Sequence, residues 1–345
     1  MLMRARVLEA LNHKQTDLTP WNFELTRGFA EQLRAATGCP DESDCLKCHI
    51  LFGRFKKNRW VAHDTYEDMF GVQWKLGLDG GDIGVVCNRV IGENGVDGYR
   101  FPEVDSELIE AAARDMEADT SRFRVFRFTY ALFERAWSLM GMEDLMAAML
   151  VDPGAVRLLF DRLTEYNLKV LEAILPHDFE GVYLGDDWGT QQGLIMGPKL
   201  WREFIKPSLV LMFDMIRRHG KYILLHSCGN IGDILPDLIE IGLDAYNTVQ
   251  PELYDLVKIK REYGRDLTFW GGISTQTFLP SATPEQVRVK CSEVIRLLGN
   301  GGGYIFAPTH AVTPDIPVQN IVGMADCVQS IMWPMEQQAA DTSPL

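Results

Sequence analysis

A histidine and a cysteine separated by one residue, His226 and Cys228, form the pattern with the clearest chemical meaning in this sequence. In an extended chain residues i and i+2 point to the same side, so the imidazole and the thiol would face one point. Both groups are zinc ligands, and a catalytic zinc ion takes three protein ligands and keeps one open position. The alternatives are a buried pair that only packs, or a tight turn at Gly229 and Asn230 that binds an anion.

A second histidine, His310, follows the last strand that the sequence predicts, and the chain contains only seven histidines. If both histidines lie at one end of a barrel, they share its mouth. His310 is then a candidate third metal ligand or a catalytic acid–base group. The alternative is a histidine that binds a substrate carboxylate by a hydrogen bond.

Two acids and an indole, Asp186, Asp187 and Trp188, end another predicted strand. Adjacent side chains of a strand point in opposite directions, so we expect one carboxylate to reach the mouth and the other to bond loop backbone. Asp186 and Asp187 are candidates for acid–base catalysis, substrate binding or a further metal ligand. Capping of a helix N-terminus is the alternative.

Further polar and aromatic residues are expected at strand ends or in the loops that follow them. Amides and carboxylates there suit a polar ligand, and flat indoles such as Trp270 suit a pocket wall. A solvated loop or a core position is the alternative for each. The candidates for substrate binding are Trp21, Glu24, Trp188, Gln191, Gln250, Glu252 and Gln276.

These residues follow apolar, β-branched segments that alternate with amphipathic helical segments. Such repetition predicts parallel strands joined by right-handed crossovers. Two earlier strands are predicted at 20–25 and 123–129, and the irregular stretch 40–105 has room for one more. The later strands are predicted at 181–186, 222–226, 243–249, 267–271 and 304–308, with helices at 199–218, 231–239, 256–263, 284–298 and 318–332.

Seven or eight parallel strands predict a (β/α)₈ TIM barrel with an irregular N-terminal elaboration. We expect one domain over residues 1–338 and a frayed tail at 339–345. Functional groups of such barrels gather where the strands end. A doubly wound open sheet is the alternative, but neither G-x-G-x-x-G nor G-x-x-x-x-G-K-[ST] occurs in the sequence.

The composition excludes several classes of partner. Lys plus Arg is 34 and Asp plus Glu is 48, so the net charge is −14, which disfavours binding to nucleic acid or to anionic lipid. No stretch approaches the roughly 18 unbroken apolar residues of a membrane span. The first residues lack the apolar core of a signal peptide. Seven cysteines without framework spacing predict a cytoplasmic protein with free thiols.

Cys45, Cys48 and His49 match the C-x-x-C-H pattern of haem attachment. That chemistry belongs to exported chains, and we reject it because the first residues carry no export signal. A structural metal site that includes Cys39 is a further alternative.

The sequence resembles the uroporphyrinogen decarboxylase superfamily, which contains porphyrinogen decarboxylases and zinc-dependent corrinoid methyltransferases. The resemblance covers nearly the whole chain and is carried by residues 67–74, 185–189, 225–230, 269–273 and 301–304. It implies a (β/α)₈ barrel, in agreement with the strand count.

The two branches of the superfamily use this barrel differently. In the methyltransferases, the resemblance implies, residues matching His226 and Cys228 hold zinc together with a cysteine of the last strand, and the methyl group is exchanged with a corrinoid protein. The decarboxylases use no metal, an R-Q-A-G-R segment near the first strand, an aspartate and a histidine of the last strand. Here His310 stands in place of the third cysteine, and residues 21–27 lack the arginine-rich segment.

Porphyrinogens carry many carboxylates, and Arg27 alone in a chain of net charge −14 offers them little. His226, Cys228 and His310 remain an acceptable zinc set, and a set with one thiolate fewer gives a stronger Lewis acid. We therefore expect a cytoplasmic, zinc-dependent methyltransferase that acts on a small methoxy, methylamine or thiol substrate.

The expected partner is a corrinoid protein, and a homodimer is possible within this expectation. Two alternatives stay open at this point. One is a metal-free decarboxylase or lyase that uses His310 and an aspartate, and the other is a non-catalytic tetrapyrrole or corrinoid binder.

Overall fold

The computed structural model describes residues 1–77, 84–92 and 95–334. The strands of these residues are β1 (Ile50–Arg54), β2 (Asn58–Ala62), β3 (Thr65–Asp68), β4 (Gln73–Leu76), β5 (Gly84–Val86), β6 (Phe123–Thr129), β7 (Gly181–Gly185), β8 (Tyr222–His226), β9 (Ala245–Val249), β10 (Thr268–Ile273) and β11 (Tyr304–Pro308). The helices are α1 (Met3–Leu11), α2 (Arg27–Thr37), α3 (Glu42–Leu46), α4 (Ser106–Glu117), α5 (Phe133–Met140), α6 (Met142–Val151), α7 (Pro153–Ile174), α8 (Gly197–Phe204), α9 (Lys206–Arg218), α10 (Leu235–Glu240), α11 (Leu256–Tyr263), α12 (Pro284–Gly299) and α13 (Val318–Ser330).

Seven parallel strands curl into a barrel in the order β1, β6, β7, β8, β9, β10, β11. Residues 20–23 close the gap between β11 and β1. Phe306 N–H donates to Pro20 O at 2.8 Å, and Asn22 N–H donates back to Phe306 O at 3.1 Å. On the other side His49 N–H donates to Trp21 O at 3.0 Å. The fold is therefore a (β/α)₈ barrel in which the segment 20–23 takes the place of the eighth strand. This confirms the predicted fold class.

The barrel interior is apolar at one end and polar at the other. Inward side chains recur every second residue along a strand. On β6 the buried Val125 precedes Arg127, and on β9 Ala245 precedes Asn247. The apolar layer packs on α1, whose Val7 is fully buried in the same cluster. The polar layer lies at the carboxyl ends of the strands and lines a pocket.

The predicted elements of the second half agree with the structure to within a few residues. The strand expected within 40–105 is β1. The helix predicted over 199–218 is divided at Ile205 into α8 and α9, because Pro207 occupies the first turn of α9 and cannot continue a preceding helix.

The expected irregular elaboration contains a regular unit, which corrects that part of the prediction. The strands β2, β3, β4 and β5 form an antiparallel sheet between β1 and α4. Arg135 of α5 donates to Asp68 at 2.6 Å and so ties the sheet to the barrel. The Trp74 ring packs against Tyr130 with 5.0 Å between centroids.

The single domain predicted over 1–338 stays a prediction, and the predicted tail at 339–345 lies outside the described residues. Among the helices of the described residues, none is both long enough and apolar enough to cross a bilayer.

The cysteines differ from the expected set of free thiols. Cys39 and Cys45 form a disulfide with 6.0 Å between their Cα atoms, because the turn between α2 and α3 brings them together. Cys48 is free and buried. The C-x-x-C-H residues therefore share no metal, since one is oxidised and the other two face the core.

His49 is fully buried and lies against the Trp21 ring, with 3.9 Å between the ring centroids. Its Nδ1 accepts from Trp21 N–H at 3.4 Å, and its Nε2 has no partner among the described residues. Burial, with the charge of Arg6, lowers the pKa of His49 to about 3. His49 is therefore neutral in the folded protein at neutral and mildly acidic pH.

This burial predicts a pH-dependent stability. As pH falls below 6.5, the unfolded chain protonates this histidine and the folded chain does not. The free energy of unfolding should then fall by up to about 1.4 kcal/mol per pH unit. A His49→Phe variant should lose this component of the slope. Denaturant unfolding at about pH 7.5 and about pH 5.5 gives the change in the free energy of unfolding between the two pH values. An equal change in the wild-type and variant proteins would contradict the assignment.

Candidate metal centre and pocket

Three side chains meet at the mouth of the barrel, namely His226 at the end of β8, Cys228 in the following turn and His310 just beyond β11. One ligand atom of each lies within 4.8 Å of the others. Cys228 Sγ is 3.3 Å from His226 Nε2, and the two imidazole centroids are 6.0 Å apart. His310 is the most exposed of the three. The i, i+2 geometry inferred for His226 and Cys228 is thus the geometry that the strand end provides.

The tautomer of His226 is set by a neighbour on β9. His226 Nδ1 donates to Asn247 Oδ1 at 2.5 Å, and the Tyr183 hydroxyl donates to the same oxygen at 3.0 Å. With its proton on Nδ1, His226 presents the Nε2 lone pair to the mouth. Metal-binding histidines are commonly held in this way by an acceptor on the second ring nitrogen.

Charged neighbours complete the centre. Asp187 Oδ1 accepts from Cys228 N–H at 2.8 Å and lies 3.5 Å from His226 Nε2. Burial, together with this carboxylate, raises the pKa of the Cys228 thiol. Partial desolvation and the nearby His226 lower the pKa of His310, which favours the neutral ring that a metal ligand requires. A thiolate at position 228 therefore needs a cation beside it.

An Asn247→Leu variant should bind zinc about 10- to 100-fold more weakly, because His226 loses the acceptor that fixes its tautomer and orientation. Asn247→Asp keeps an acceptor at the same place and should retain most of the affinity. Competition with a chromophoric chelator measures both constants. Wild-type affinity in the leucine variant would show that Asn247 does not position the histidine.

Asp186 and Trp188 lie away from the mouth. Asp186 is fully buried, and its carboxylate accepts from Phe133 N–H and Glu134 N–H at 2.8 Å and from Trp188 Nε1–H at 2.6 Å. It therefore caps α5, the alternative considered for this residue. Trp188 packs on Trp201 in the core. Of the two adjacent acids, Asp187 faces the candidate metal ligands.

The pocket beside the three ligands is a small cavity of about 70 Å³. Glu24 and Arg127 face each other across it, with Arg127 Nη1 donating to Glu24 Oε2 at 2.5 Å. Burial alone would raise the pKa of Glu24, but the charge and hydrogen bond of Arg127 outweigh it and hold the pKa below its ordinary value. The full lining is Asn22, Glu24, Arg127, Tyr183, His226, Asn247, Trp270, Ala307, Pro308, Thr309, His310 and Ala311.

Of the seven predicted substrate-binding residues Glu24 lines this pocket, and so does Trp270, the indole expected in a pocket wall. Trp21 is buried and donates from Nε1 to Leu46 O, outside the pocket. Gln191 and Gln276 are exposed. Glu252 is exposed too and accepts from Ser274 and Thr277.

Gln250 supports the turn that carries Cys228. Its Oε1 accepts from Gly229 N–H at 2.8 Å. Gly229 has φ +80°, and a Cβ built there would lie 2.2 Å from the carbonyl carbon of Gly189. Only glycine fits this close approach of two βα loops, so the turn after Cys228 is packed rather than open for an anion.

Two functional candidates were not found in the sequence, Arg127 and Asn247. Each stands two residues beyond a small apolar residue that points into the barrel. The signal that could have found them is therefore a polar residue at an inward position near a strand end.

Comparison with known proteins supports the same assignment of fold and family. The family profile "Uroporphyrinogen decarboxylase (URO-D)" matches residues 67–331. A methyltransferase from Methanosarcina mazei has the same fold, with a TM-score of 0.73 at 15% identity over 95% of this chain and 98% of that one.

Curated relatives match at low identity. The uroporphyrinogen decarboxylase of Coxiella burnetii (strain Dugway 5J108-111) is 25% identical over 187 residues, which are 53% of this chain and only 50% of that protein. The uroporphyrinogen decarboxylase of Actinobacillus pleuropneumoniae serotype 5b (strain L20) is 22% identical over 355 aligned positions, 95% of this chain and 97% of that protein. With a profile match over more than half of its residues, the chain belongs to the uroporphyrinogen decarboxylase (URO-D) family.

Proposed function

We propose that this chain is a zinc-dependent methyltransferase that moves a methyl group between a small substrate and a corrinoid held by a partner protein. The observation that carries the proposal is the convergence of His226, Cys228 and His310 at the barrel mouth. The structural neighbour from Methanosarcina mazei is named a methyltransferase, which is compatible with it. The corrinoid partner, the homodimer and the cytoplasmic location stay predictions.

The donor set fits zinc. The 3.3 Å between Cys228 Sγ and His226 Nε2 is close to the roughly 3.5 Å that separates a sulfur and a nitrogen bound tetrahedrally to one zinc ion. Three protein ligands leave one position for a substrate atom, the arrangement of catalytic zinc sites. Asn247 supplies the supporting hydrogen bond that such a histidine ligand needs.

When bound, the ion would supply a Lewis acid that draws electron density from the substrate heteroatom. The methyl group would leave as a methyl-cation equivalent, so the heteroatom keeps the bonding pair. Both electrons of the new bond would come from the corrinoid cobalt of the partner. Asp187, 3.5 Å from His226 Nε2, is the carboxylate placed to deliver or accept the proton of that heteroatom.

The proposal is tested with purified, zinc-loaded protein and free cob(I)alamin. Methanol, methylamine, dimethyl sulfide and methoxyacetate serve as methyl donors, and the cobalamin absorbance reports transfer. We expect transfer from at least one donor, reduced about 100-fold or more in Cys228→Ala. Absence of transfer from all four, or equal rates in both proteins, would overturn the proposal.

A second candidate is a metal-free decarboxylase or lyase, favoured by the names of the curated relatives. His310 and Asp187 would then serve as acid and base. Carbon dioxide release from a carboxylate substrate that survives both chelation and Cys228→Ala would favour this candidate over methyl transfer.

A further inference from the structure

We infer that the pocket below the three candidate ligands recognises a carboxylate of its substrate through Arg127. This inference narrows the substrate class of the proposed methyl transfer and to that extent rests on it. Arg127 and Glu24 line the pocket, and their side chains are 23% and 26% exposed. Both are therefore within reach of a ligand and are not sealed in the core.

Most N–H donors of the Arg127 guanidinium are available to a ligand. Arginine carries five N–H donors in a planar fork that matches a carboxylate in two parallel hydrogen bonds. Among the described residues Arg127 donates only to Glu24, and it does so through one nitrogen, Nη1. Its other N–H donors have no hydrogen-bond partner within the part of the chain that the structure describes, and the Arg127 side chain lines the pocket.

Aromatic rings hold this guanidinium in place. Its central carbon lies 4.8 Å from the Phe52 ring centroid and 5.2 Å from that of Tyr183. A cation fixed on one side by two rings and on another by Glu24 loses little freedom when a ligand binds. The site is thus organised before the substrate arrives.

The size of the pocket limits the ligand. Tyr183 and Trp270, each 1% exposed, close its inner end. A cavity of about 70 Å³ with one arginine suits a small monocarboxylate, whereas a polycarboxylated macrocycle would need more space and several cationic groups. A divalent ion on the three ligands would add positive charge to the same pocket and favour an anion further.

The test uses methoxyacetate and its neutral amide, methoxyacetamide, as a matched pair of probes in ligand-observed NMR titrations. We expect wild-type protein to bind the acid at least tenfold more tightly than the amide. Arg127→Gln should abolish this preference, and Arg127→Lys should keep part of it. Glu24→Gln should strengthen binding of the acid several-fold, because it removes the carboxylate that competes for Arg127.

Arg124→Gln is the matched control, because Arg124 is an arginine of the same strand that is paired with Glu180 at the opposite end of the barrel. It should leave the preference unchanged. Equal binding of acid and amide by the folded wild-type protein, or a preference that survives in folded Arg127→Gln, would overturn the inference.

Titrations after chelation separate this inference from the proposed function. If the protein prefers the acid but never binds zinc, the carboxylate site is supported and zinc-dependent transfer is contradicted. If the protein binds zinc but shows no preference for the acid, only the carboxylate site is contradicted.

Discussion

Replacing Cys228 with alanine is expected to leave less than about a tenth of the zinc that the wild-type protein retains after dialysis. Cys228 supplies the single thiolate of the candidate set, and the two remaining ligands are imidazoles. Its Sγ lies at the mouth, 3.3 Å from His226 Nε2, so alanine removes a ligand without filling the space. Elemental analysis of both proteins measures the effect.

The matched control is Cys87→Ala, because Cys87 is a free, exposed cysteine of the small antiparallel sheet region. It should retain zinc at the wild-type level. His226→Ala and His310→Ala should lose zinc in the same direction as Cys228→Ala. Full occupancy in all three mouth variants would place the metal elsewhere in the protein.

Replacing Asp186 with alanine is expected to lower the free energy of unfolding by about 3 kcal/mol. The buried carboxylate caps α5 through two backbone N–H groups and also accepts from the Trp188 indole. Alanine leaves these three donors without a partner in the core. Denaturant unfolding of the zinc-free protein measures the loss.

Asp187→Ala provides the contrast. Asp187 accepts one backbone N–H, that of Cys228, and faces the mouth, so its loss should cost about 1 kcal/mol or less in stability. It should instead impair turnover. A stable Asp186→Ala protein, or an Asp187→Ala protein that unfolds more readily than Asp186→Ala, would reverse the roles assigned to the two acids.

The barrel could be predicted because its strands are short apolar runs with distinct ends. β6, β8 and β11 lie where the sequence pattern predicts them. The segment predicted as a strand at 20–25 takes the place of the eighth strand through its hydrogen bonds to β11. The small sheet was missed because its strands do not alternate between buried and exposed residues. Every residue of β2, for example, is exposed.

The candidate site could be predicted only in part. His226, Cys228 and His310 converge because parallel strands end at the same rim. The assignment of Asp186 and Asp187 depends on which loop lies over each side chain, and residue spacing does not contain that information. Arg127 and Asn247 were missed because polar side chains within strands are usually solvated, whereas here barrel closure turns them inward.

Zinc X-ray absorption spectroscopy of the metal-loaded wild-type protein tests the central claim most directly. The expected first shell contains one sulfur at about 2.3 Å, two imidazole nitrogens at about 2.0 Å and one light atom in the open position. A shell without sulfur, or a protein that retains no zinc after dialysis, would contradict a metal centre built from His226, Cys228 and His310.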